Sequence, residues 1–562
     1  MIYLTFTLLF AGLSALWMFQ KIFYPYFWDD LMYCLKFRKV GKAIMARMKC
    51  GIITYLDCFV HQARKTPEKP FIVFENQVFT YKDVEIRSNK FANVFKTEAG
   101  LKHGDIVALL MSNEPDFVCV WLGLCQLGCE VAFLNFNTKS RSLLHCFQTC
   151  GANCLVVGSG IRHETFCFAV LLICFLCNVG LPKAARISHI KAVMSMAFLR
   201  LCGANENDKI YMALPLYHMA ASLLGIGGCI DLGATCVLKK KFSASQFWKD
   251  CIKHDVTVLQ YIGELCRYLV HQPKVDKAHR VRIAAGSGLR ADVWKEFSRR
   301  FGKIQIREAY GLTEASIGFV NYTTEIGPIG RVSLPFELLK CHPETCEPVR
   351  TNTGRCVVVN KGETGLLVAP LSFTNPFLGY VGNKAMTEKK LLRDVFKDGD
   401  VYFNTGDLML QDHRDFVYFK DRTGDTFRWK GENVATTEVS EILGCLDFLQ
   451  EVNVYGVTVP GYEGRAGMAA LVLKEGCELD GESLYNHLLQ NLPAYSWPWF
   501  LRLQTSLDVT ETFKQQKKEL VEDGFCPRTI QEPLYFLDSY KKTYVPLTQH
   551  VYDDIVSGQI RL

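Results

Sequence analysis

The chain carries no low-complexity tract, no internal repeat at solenoid spacing and no DNA- or RNA-binding signature. The first two absences exclude a disordered chain and a repeat array. Basic residues are not gathered either: 64 Lys and Arg against 57 Asp and Glu leave a net charge of +7 that is spread along the chain. Lys239-Lys240-Lys241 is the one tight basic run, and a solvated face accounts for it, so no nucleic-acid partner is expected. The amino terminus lacks the basic start of a cleaved signal peptide, since Met1-Ile2-Tyr3-Leu4 is uncharged. The 23 cysteines lack the loop spacing of a disulfide framework; Cys119, Cys125, Cys129, Cys146 and Cys150 each sit inside an apolar segment. They read as buried, reduced thiols and place the bulk of the chain in a reducing, cytosol-facing compartment.

What is present is a globular composition, 49% hydrophobic and 22% charged over 562 residues, too long for one simple core. Residues 2–19 are uncharged and almost wholly apolar, just long enough to cross a bilayer. Lys21, Lys36, Arg38, Lys39, Lys42, Arg47 and Lys49 follow, and Phe23-Tyr24-Pro25-Tyr26-Phe27-Trp28 suits an interfacial aromatic belt. The expectation is a membrane anchor over residues 1–22, single-pass, with the remainder cytosolic.

From about residue 70, apolar strand patterns alternate with amphipathic helical ones. Residues 71–74 and 78–81 read as a hairpin. Strands are expected at 105–111, 131–135, 154–157, 210–214, 235–238, 256–261, 281–285 and 304–308, and helices at 115–127, 142–149, 245–253 and 292–301. That rhythm predicts parallel α/β layers. Beyond Asp421 the pattern changes to strands at 452–459, 466–474 and 500–504 around a helix at 481–491, a smaller α+β unit. The expected division is a large domain over residues 50–421 and a small one over 422–562, with Gly424 as a pivot.

Three segments carry chemistry. In Tyr310-Gly311-Leu312-Thr313-Glu314 an aromatic precedes a glycine, a hydroxyl and a carboxylate. That order suits stacking of Tyr310 on adenine, a Thr313 hydroxyl to phosphate and Glu314 to Mg²⁺. Asp407, in Asn404-Thr405-Gly406-Asp407, offers a carboxylate able to accept both ribose hydroxyls. Arg422 supplies a planar, permanently charged second contact. Each has a plainer reading in isolation: a strand-to-loop turn, a β-turn aspartate, a surface ion pair of Arg422 with Asp421 or Asp425. The third segment, from Gly424 to Val439, contains the turn Lys430-Gly431-Glu432-Asn433.

These segments resemble the fatty-acid transport protein / very-long-chain acyl-CoA synthetase family of adenylate-forming ligases. Further stretches carry the resemblance: Ala108-Leu109-Leu110-Met111-Ser112-Asn113-Glu114-Pro115, Phe242-Ser243-Ala244-Ser245-Gln246-Phe247-Trp248, Gln260-Tyr261-Ile262-Gly263-Glu264, and Pro25-Tyr26-Phe27-Trp28-Asp29-Asp30. The resemblance implies a large N-terminal layered α/β domain and a small α+β C-terminal domain that rotates between two half-reactions. It implies activation of a long-chain fatty acid to its CoA ester with ATP, Mg²⁺ and coenzyme A as co-substrate, coupled to fatty acid uptake. The membrane would be that of the endoplasmic reticulum, plasma membrane or peroxisome. By the same resemblance, Lys514 serves adenylation, His218 lines the acyl pocket, Gly180, Lys183, Gly286 and Gly288 join Tyr310, Asp407 and Arg422 around the nucleotide, and Lys430, Gly431 and Glu432 contact coenzyme A.

The pattern breaks in one place. The family's phosphate loop has the form Thr-Ser-Gly-Thr-Thr-Gly-Leu-Pro-Lys; here Gly180-Leu181-Pro182-Lys183 follows Cys174-Phe175-Leu176-Cys177-Asn178-Val179. The loop's hydroxyls and its first glycine are gone, and several dozen residues that the family has before the loop are missing after Gly158-Ser159-Gly160. Glu511 stands where the family has glycine, and Ser287 replaces the asparagine of a Gly-Asn-Gly motif. Weak or no adenylation is the expectation, with a fatty-acid-binding or transport protein as the alternative. Residues 165–182 are uncharged and by hydropathy would make a second span and a multi-span transporter, a reading set aside because it would split the nucleotide motifs across the membrane.

Overall fold

The structure is a computed structural model that describes residues 17–18, 20–137, 140–158, 174–176, 183–272, 278–323, 325–331, 335–342, 345–372, 375–430, 432–462, 464–509 and 515–562. Residues 71–74 and 78–81, expected as a hairpin, pair as the antiparallel strands Pro70–Phe74 and Gln77–Thr80. The Thr80 side chain then accepts from the Asp83 amide and the Asp83 carboxylate from the Thr80 amide, a reciprocal cap that starts the next helix at Tyr81.

This hairpin forms one edge of an eight-stranded sheet. Its spatial order is Gly318–Val320, Gln305–Gly311, Ile283–Ser287, Val258–Ile262, Lys209–Met212, Thr235–Leu238, Pro70–Phe74, Gln77–Thr80. The six inner strands pair in parallel, and each outer strand pairs antiparallel with its neighbour. Such strands are buried on both faces, which is why they read as continuous apolar runs. Helices cover them: Ala291–Phe301 turns Val293, Trp294, Phe297 and Phe301 inward at helical spacing. A second parallel sheet joins Ile106–Leu110 to Glu130–Phe133 and Cys154–Val157. One apolar core, running from Tyr33 to Val320, fills the space around both sheets.

A mainly antiparallel sheet built on Val401–Gln411 follows, with smaller apolar clusters of its own. A further core gathers residues from Phe427 to Leu562 around the strands Leu449–Val457, Ala466–Leu473, Phe500–Leu503, Leu534–Asp538 and Thr543–Pro546. Arg267 ties it to the first core: its guanidinium meets Glu264 at 2.6 Å and Glu451 at 2.8 Å with only 6% of the side chain exposed.

The first long helix, α1 (Phe27–Lys49), packs on the large sheet's side of the molecule. Asp30 accepts from the Tyr322 hydroxyl at 2.5 Å and pairs with Arg331 at 3.0 Å; Arg47 pairs at 2.6 Å with the buried carboxylate of Asp231. The aromatic cluster expected at a membrane interface is thus divided. Tyr26 packs edge-on against Phe416 and donates to Glu325, whereas Phe23, Tyr24, Phe27 and Trp28 are exposed. Among the described residues no helix is long and apolar enough to cross a membrane; residues 1–16 and 19 of the expected anchor lie outside them. Within the apolar stretch 165–182, residues 174–176 form a strand paired antiparallel with Lys183–Ala185, not a helix.

Candidate functional site

The parallel strands Ile283–Ser287 and Gln305–Gly311 end side by side and deliver the glycine motif and Tyr310 to one place. A buried carboxylate sets their ends. Glu308, 2% exposed, accepts from the Gly288 amide at 2.6 Å, the Leu289 amide at 3.1 Å and the Tyr261 hydroxyl at 2.5 Å. Gly288 has φ +79°, a left-handed turn that glycine adopts without strain, and a Cβ at Gly286 would lie 2.1 Å from the Tyr261 carbonyl oxygen. Both glycines are therefore required by the backbone. Burial pushes the Glu308 carboxyl up to about 8. A carboxyl raised in the folded state holds its proton where the unfolded chain, near the ordinary value of about 4.3, has lost it. Its contribution to stability is present at low pH and lost as pH rises through that window. Thermal melts of Glu308→Gln should therefore fall less steeply between pH 5 and pH 8 than those of the parent chain.

The loop after Tyr310 is held from below by a lysine. Ser188 caps the helix His189–Met196 by accepting from the Lys191 amide, which fixes the start of the helix that carries Lys191. Its ammonium, on a residue 6% exposed, donates to the carbonyls of Leu312 at 3.1 Å, Thr313 at 2.5 Å and Ala315 at 2.8 Å. Thr313 is buried on the loop, and Glu314 accepts from the Tyr380 hydroxyl at 2.9 Å. Replacing Lys191 by Met leaves three carbonyls without this donor and should cost about 3 kcal/mol of stability, read from denaturant unfolding.

Asp407 does not lie in a β-turn. Val401–Gln411 is a single strand that passes through Gly406 at φ +78° and pairs Asp407 with Arg422 across the sheet. The Asp407 carboxylate, 5% exposed, accepts from the Tyr310 hydroxyl at 2.5 Å and faces the Arg422 guanidinium at 3.5 Å. Burial and that carboxylate push the Tyr310 phenol well above its usual pKa, so it stays a donor. Arg422 pairs with Asp407 rather than through its side chain with Asp421 or Asp425. Asp421, 2% exposed, instead accepts from the Arg422 and Thr436 amides at 2.9 and 2.6 Å, while Lys517 donates to the Thr436 hydroxyl at 2.6 Å. Asp421 thus fastens the residues after Arg422 to the start of the Thr436–Leu443 helix.

Next to this cluster lies a cavity of about 570 Å³ whose wall is largely apolar, lined among others by His218, Gly286, Tyr310, Gly311, Thr313 and Gln260. Its size is that of a small-molecule site. The His218 ring nitrogen accepts from the Ala220 amide at 3.2 Å. In front of Gly311 an added Cβ would meet nothing nearer than the Ile317 carbonyl oxygen at 3.8 Å, so the backbone there is open to close approach. The structure thus gathers His218, Gly286, Gly288, Tyr310, Thr313, Glu314, Asp407 and Arg422. Lys430, at φ +51°, and Glu432 stand apart from the cavity on the hairpin Phe427–Trp429 and Glu432–Val434; the Lys430 ammonium lies 5.3 Å from the Trp499 ring centre. Gly180, Gly431 and Lys514 lie outside the described residues, as does the side chain of Lys183. Among the described residues no three His, Cys, Asp or Glu side chains cluster to hold a metal by themselves. A single carboxylate such as Glu314 fits Mg²⁺, which is bound through one or two carboxylates plus phosphate oxygens.

Sequence reasoning missed Lys191, Glu308, Tyr380 and Asp421. A signal existed for two of them. Lys191 interrupts the apolar run of its helix, and Glu308 is a charge inside an otherwise buried strand.

Comparison with known proteins agrees with this geometry. A model of the AMP-binding enzyme family matches residues 59–170 and 179–365. The match is interrupted where the phosphate loop is depleted. The chain is 49% identical to long-chain fatty acid transport protein 6 of Mus musculus, with 98% of each chain covered, and 44% identical to long-chain fatty acid transport protein 2 of Rattus norvegicus, again with 98% of each covered. The first alignment runs to 609 positions against the 562 residues of this chain, so that relative carries several dozen residues with no counterpart here. Among solved structures, ATP-bound MatB from Rhodopseudomonas palustris superposes with a TM-score of 0.71 at 20% identity, over 83% of this chain and 98% of that one, a likeness of fold. The chain belongs to the AMP-binding enzyme family and, within it, to the long-chain fatty acid transport proteins.

Proposed function

We propose that the site activates long-chain fatty acids to acyl-CoA and that its first half-reaction is slow. In that reaction the fatty carboxylate attacks the α-phosphate of ATP, giving acyl-AMP and pyrophosphate; the thiol of coenzyme A then displaces AMP. The observation that carries the reading is the junction of Tyr310, Asp407 and Arg422 at the rim of a largely apolar cavity. Asp407 accepts the ribose hydroxyls, Arg422 backs it with fixed positive charge, and Tyr310 offers its ring to adenine. Thr313 donates to phosphate, and the Lys191 grip on the loop carbonyls holds Thr313 and Glu314 in place as charge develops. Glu314 would hold Mg²⁺, which when bound would supply neutralising charge to the phosphate oxygens. Lys514 and Lys183 are assigned to the phosphates, and Lys430, Gly431 and Glu432 to coenzyme A, from their motifs. His218 stands in the cavity wall where the acyl chain packs.

Slowness follows from the loop before Gly180, where Phe175, Leu176 and Val179 offer no hydroxyl to the phosphates. A binding or transport protein without turnover is the second reading, favoured by the same residues. We place the large domain at 50–421, the small one at 422–562 and a single-pass anchor at 1–22, leaving the catalytic part cytosolic. The test is acyl-CoA formation from a long-chain fatty acid, ATP, Mg²⁺ and coenzyme A by the full chain in membranes, beside Lys514→Ala. Product that disappears in the variant supports ligation; equal traces in both leave binding without turnover.

A further inference from the structure

The family model begins at residue 59, yet four residues of the preceding helix α1, namely Tyr33, Cys34, Phe37 and Arg38, line the cavity. We infer that α1 is the outer wall and mouth of the acyl cavity, and that Tyr33 and Phe37 are the residues the far end of the fatty chain packs against. The inference rests on the reading of that cavity as the acyl site.

Three observations support it. First, α1 is fixed in place and not loosely apposed. Val40 and Ile44 are buried, the Tyr33 ring stacks on Tyr322 at 4.1 Å between centres, and the Lys36 ammonium donates to the Leu201 carbonyl at 2.9 Å. Leu201 itself lines the cavity, so that bond closes the seam between α1 and the neighbouring wall. Second, the lining changes from buried to open along the helix: Tyr33 is 9% exposed and Phe37 41%, and Arg38 is exposed while still facing the cavity. The cavity therefore reaches solvent at α1 as well as at the nucleotide end, where the lining residues Ser287 and Gly311 are exposed. Third, the outer face beside that opening carries exposed Leu31, Met32 and Leu35. A hydrocarbon tail longer than the cavity would emerge onto apolar side chains instead of water, which costs less free energy than exposing the same methylenes. The carboxylate must reach Thr313 and Glu314, so the tail is the end left at α1.

The test uses the full chain in membranes and a hexadecanoic acid carrying a diazirine near its methyl end, with the photolabelled residues mapped by mass spectrometry. Label on residues 33–38 is expected. Label confined to the His218 or Tyr310 walls would overturn the role of α1 while leaving the acyl site standing; label on no cavity residue would overturn both. A second arm introduces Cys34→Trp, which fills the mouth. It should lower labelling by the hexadecanoic probe at least tenfold and leave an octanoic probe within twofold. Lys42→Trp, at an exposed position of the same helix that neither lines the cavity nor belongs to the apolar patch beside its mouth, serves as the control with labelling unchanged. Equal hexadecanoic labelling in Cys34→Trp and the parent, both shown folded by thermal melting, would overturn the assignment.

Discussion

Rebuilding the phosphate loop should raise fatty-acid-dependent ATP–pyrophosphate exchange about a hundredfold or more. The variant carries Phe175→Thr, Leu176→Ser, Cys177→Gly, Asn178→Thr and Val179→Thr ahead of the native Gly180-Leu181-Pro182-Lys183. The physical reason is that negative charge grows on the phosphate oxygens during attack, and donors aimed there stabilise the transition state more than the ground state. Removing one such donor elsewhere costs about 10²–10³ in rate. Here several hydroxyls are absent together with a glycine that lets the backbone approach. Their effects do not add, so the expected gain is that of one or two donors and not the product of all. Exchange that stays at the parent level, from folded protein, would show that the missing residues before the loop matter more than the loop's own chemistry.

Asp407→Ala should weaken AMP binding by about 2–5 kcal/mol, the range for truncating one partner of a buried, hydrogen-bonded charge pair. Two terms combine. The ribose loses its acceptor, and the Tyr310 hydroxyl and Arg422 guanidinium lose the group that holds them. Titration calorimetry with AMP reads the loss directly and does not depend on turnover. Asp407→Asn keeps an acceptor oxygen for Tyr310 but removes the charge facing Arg422, so its loss should be smaller. A full-strength AMP affinity in Asp407→Ala would remove Asp407 from the ribose site.

The strands of the large sheet were legible in the sequence because a parallel strand buried on both faces is a continuous apolar run bounded by polar turns. The expected strands at 210–214, 235–238, 256–261, 281–285 and 304–308 appear within a few residues as Lys209–Met212, Thr235–Leu238, Val258–Ile262, Ile283–Ser287 and Gln305–Gly311. Farther along, the strands expected at 452–459, 466–474 and 500–504 appear as Leu449–Val457, Ala466–Leu473 and Phe500–Leu503 and the helix at 481–491 has the expected bounds, whereas the strands Leu534–Asp538 and Thr543–Pro546 were not expected. Strand Val401–Gln411 was less so, because Asn404-Thr405-Gly406-Asp407 has turn composition; pairing on both sides overrides that local preference. At the site, Tyr310, Asp407 and Arg422 could be named from motif order, but not that they touch, since neither register across a sheet nor packing between two sheets is local information. The supports Lys191 and Asp421 went unseen for the same reason, their partners lying 121–124 and 15 residues away. The packing of Tyr26 was hidden by composition: aromatic residues beside an apolar run suggest an interfacial belt, and only the contacts with Phe416 and Glu325 reveal that Tyr26 faces protein.

The central claim is that an intact adenosine and acyl site stands behind a depleted phosphate loop. Calorimetric titration of the full chain with AMP and with Mg²⁺-ATP tests it most directly. The account predicts that AMP binds and that ATP binds no more than a few-fold more tightly, because the loop adds little for the outer phosphates. ATP binding far tighter than AMP would contradict the loss of the loop, and absence of AMP binding would contradict the intact adenosine site.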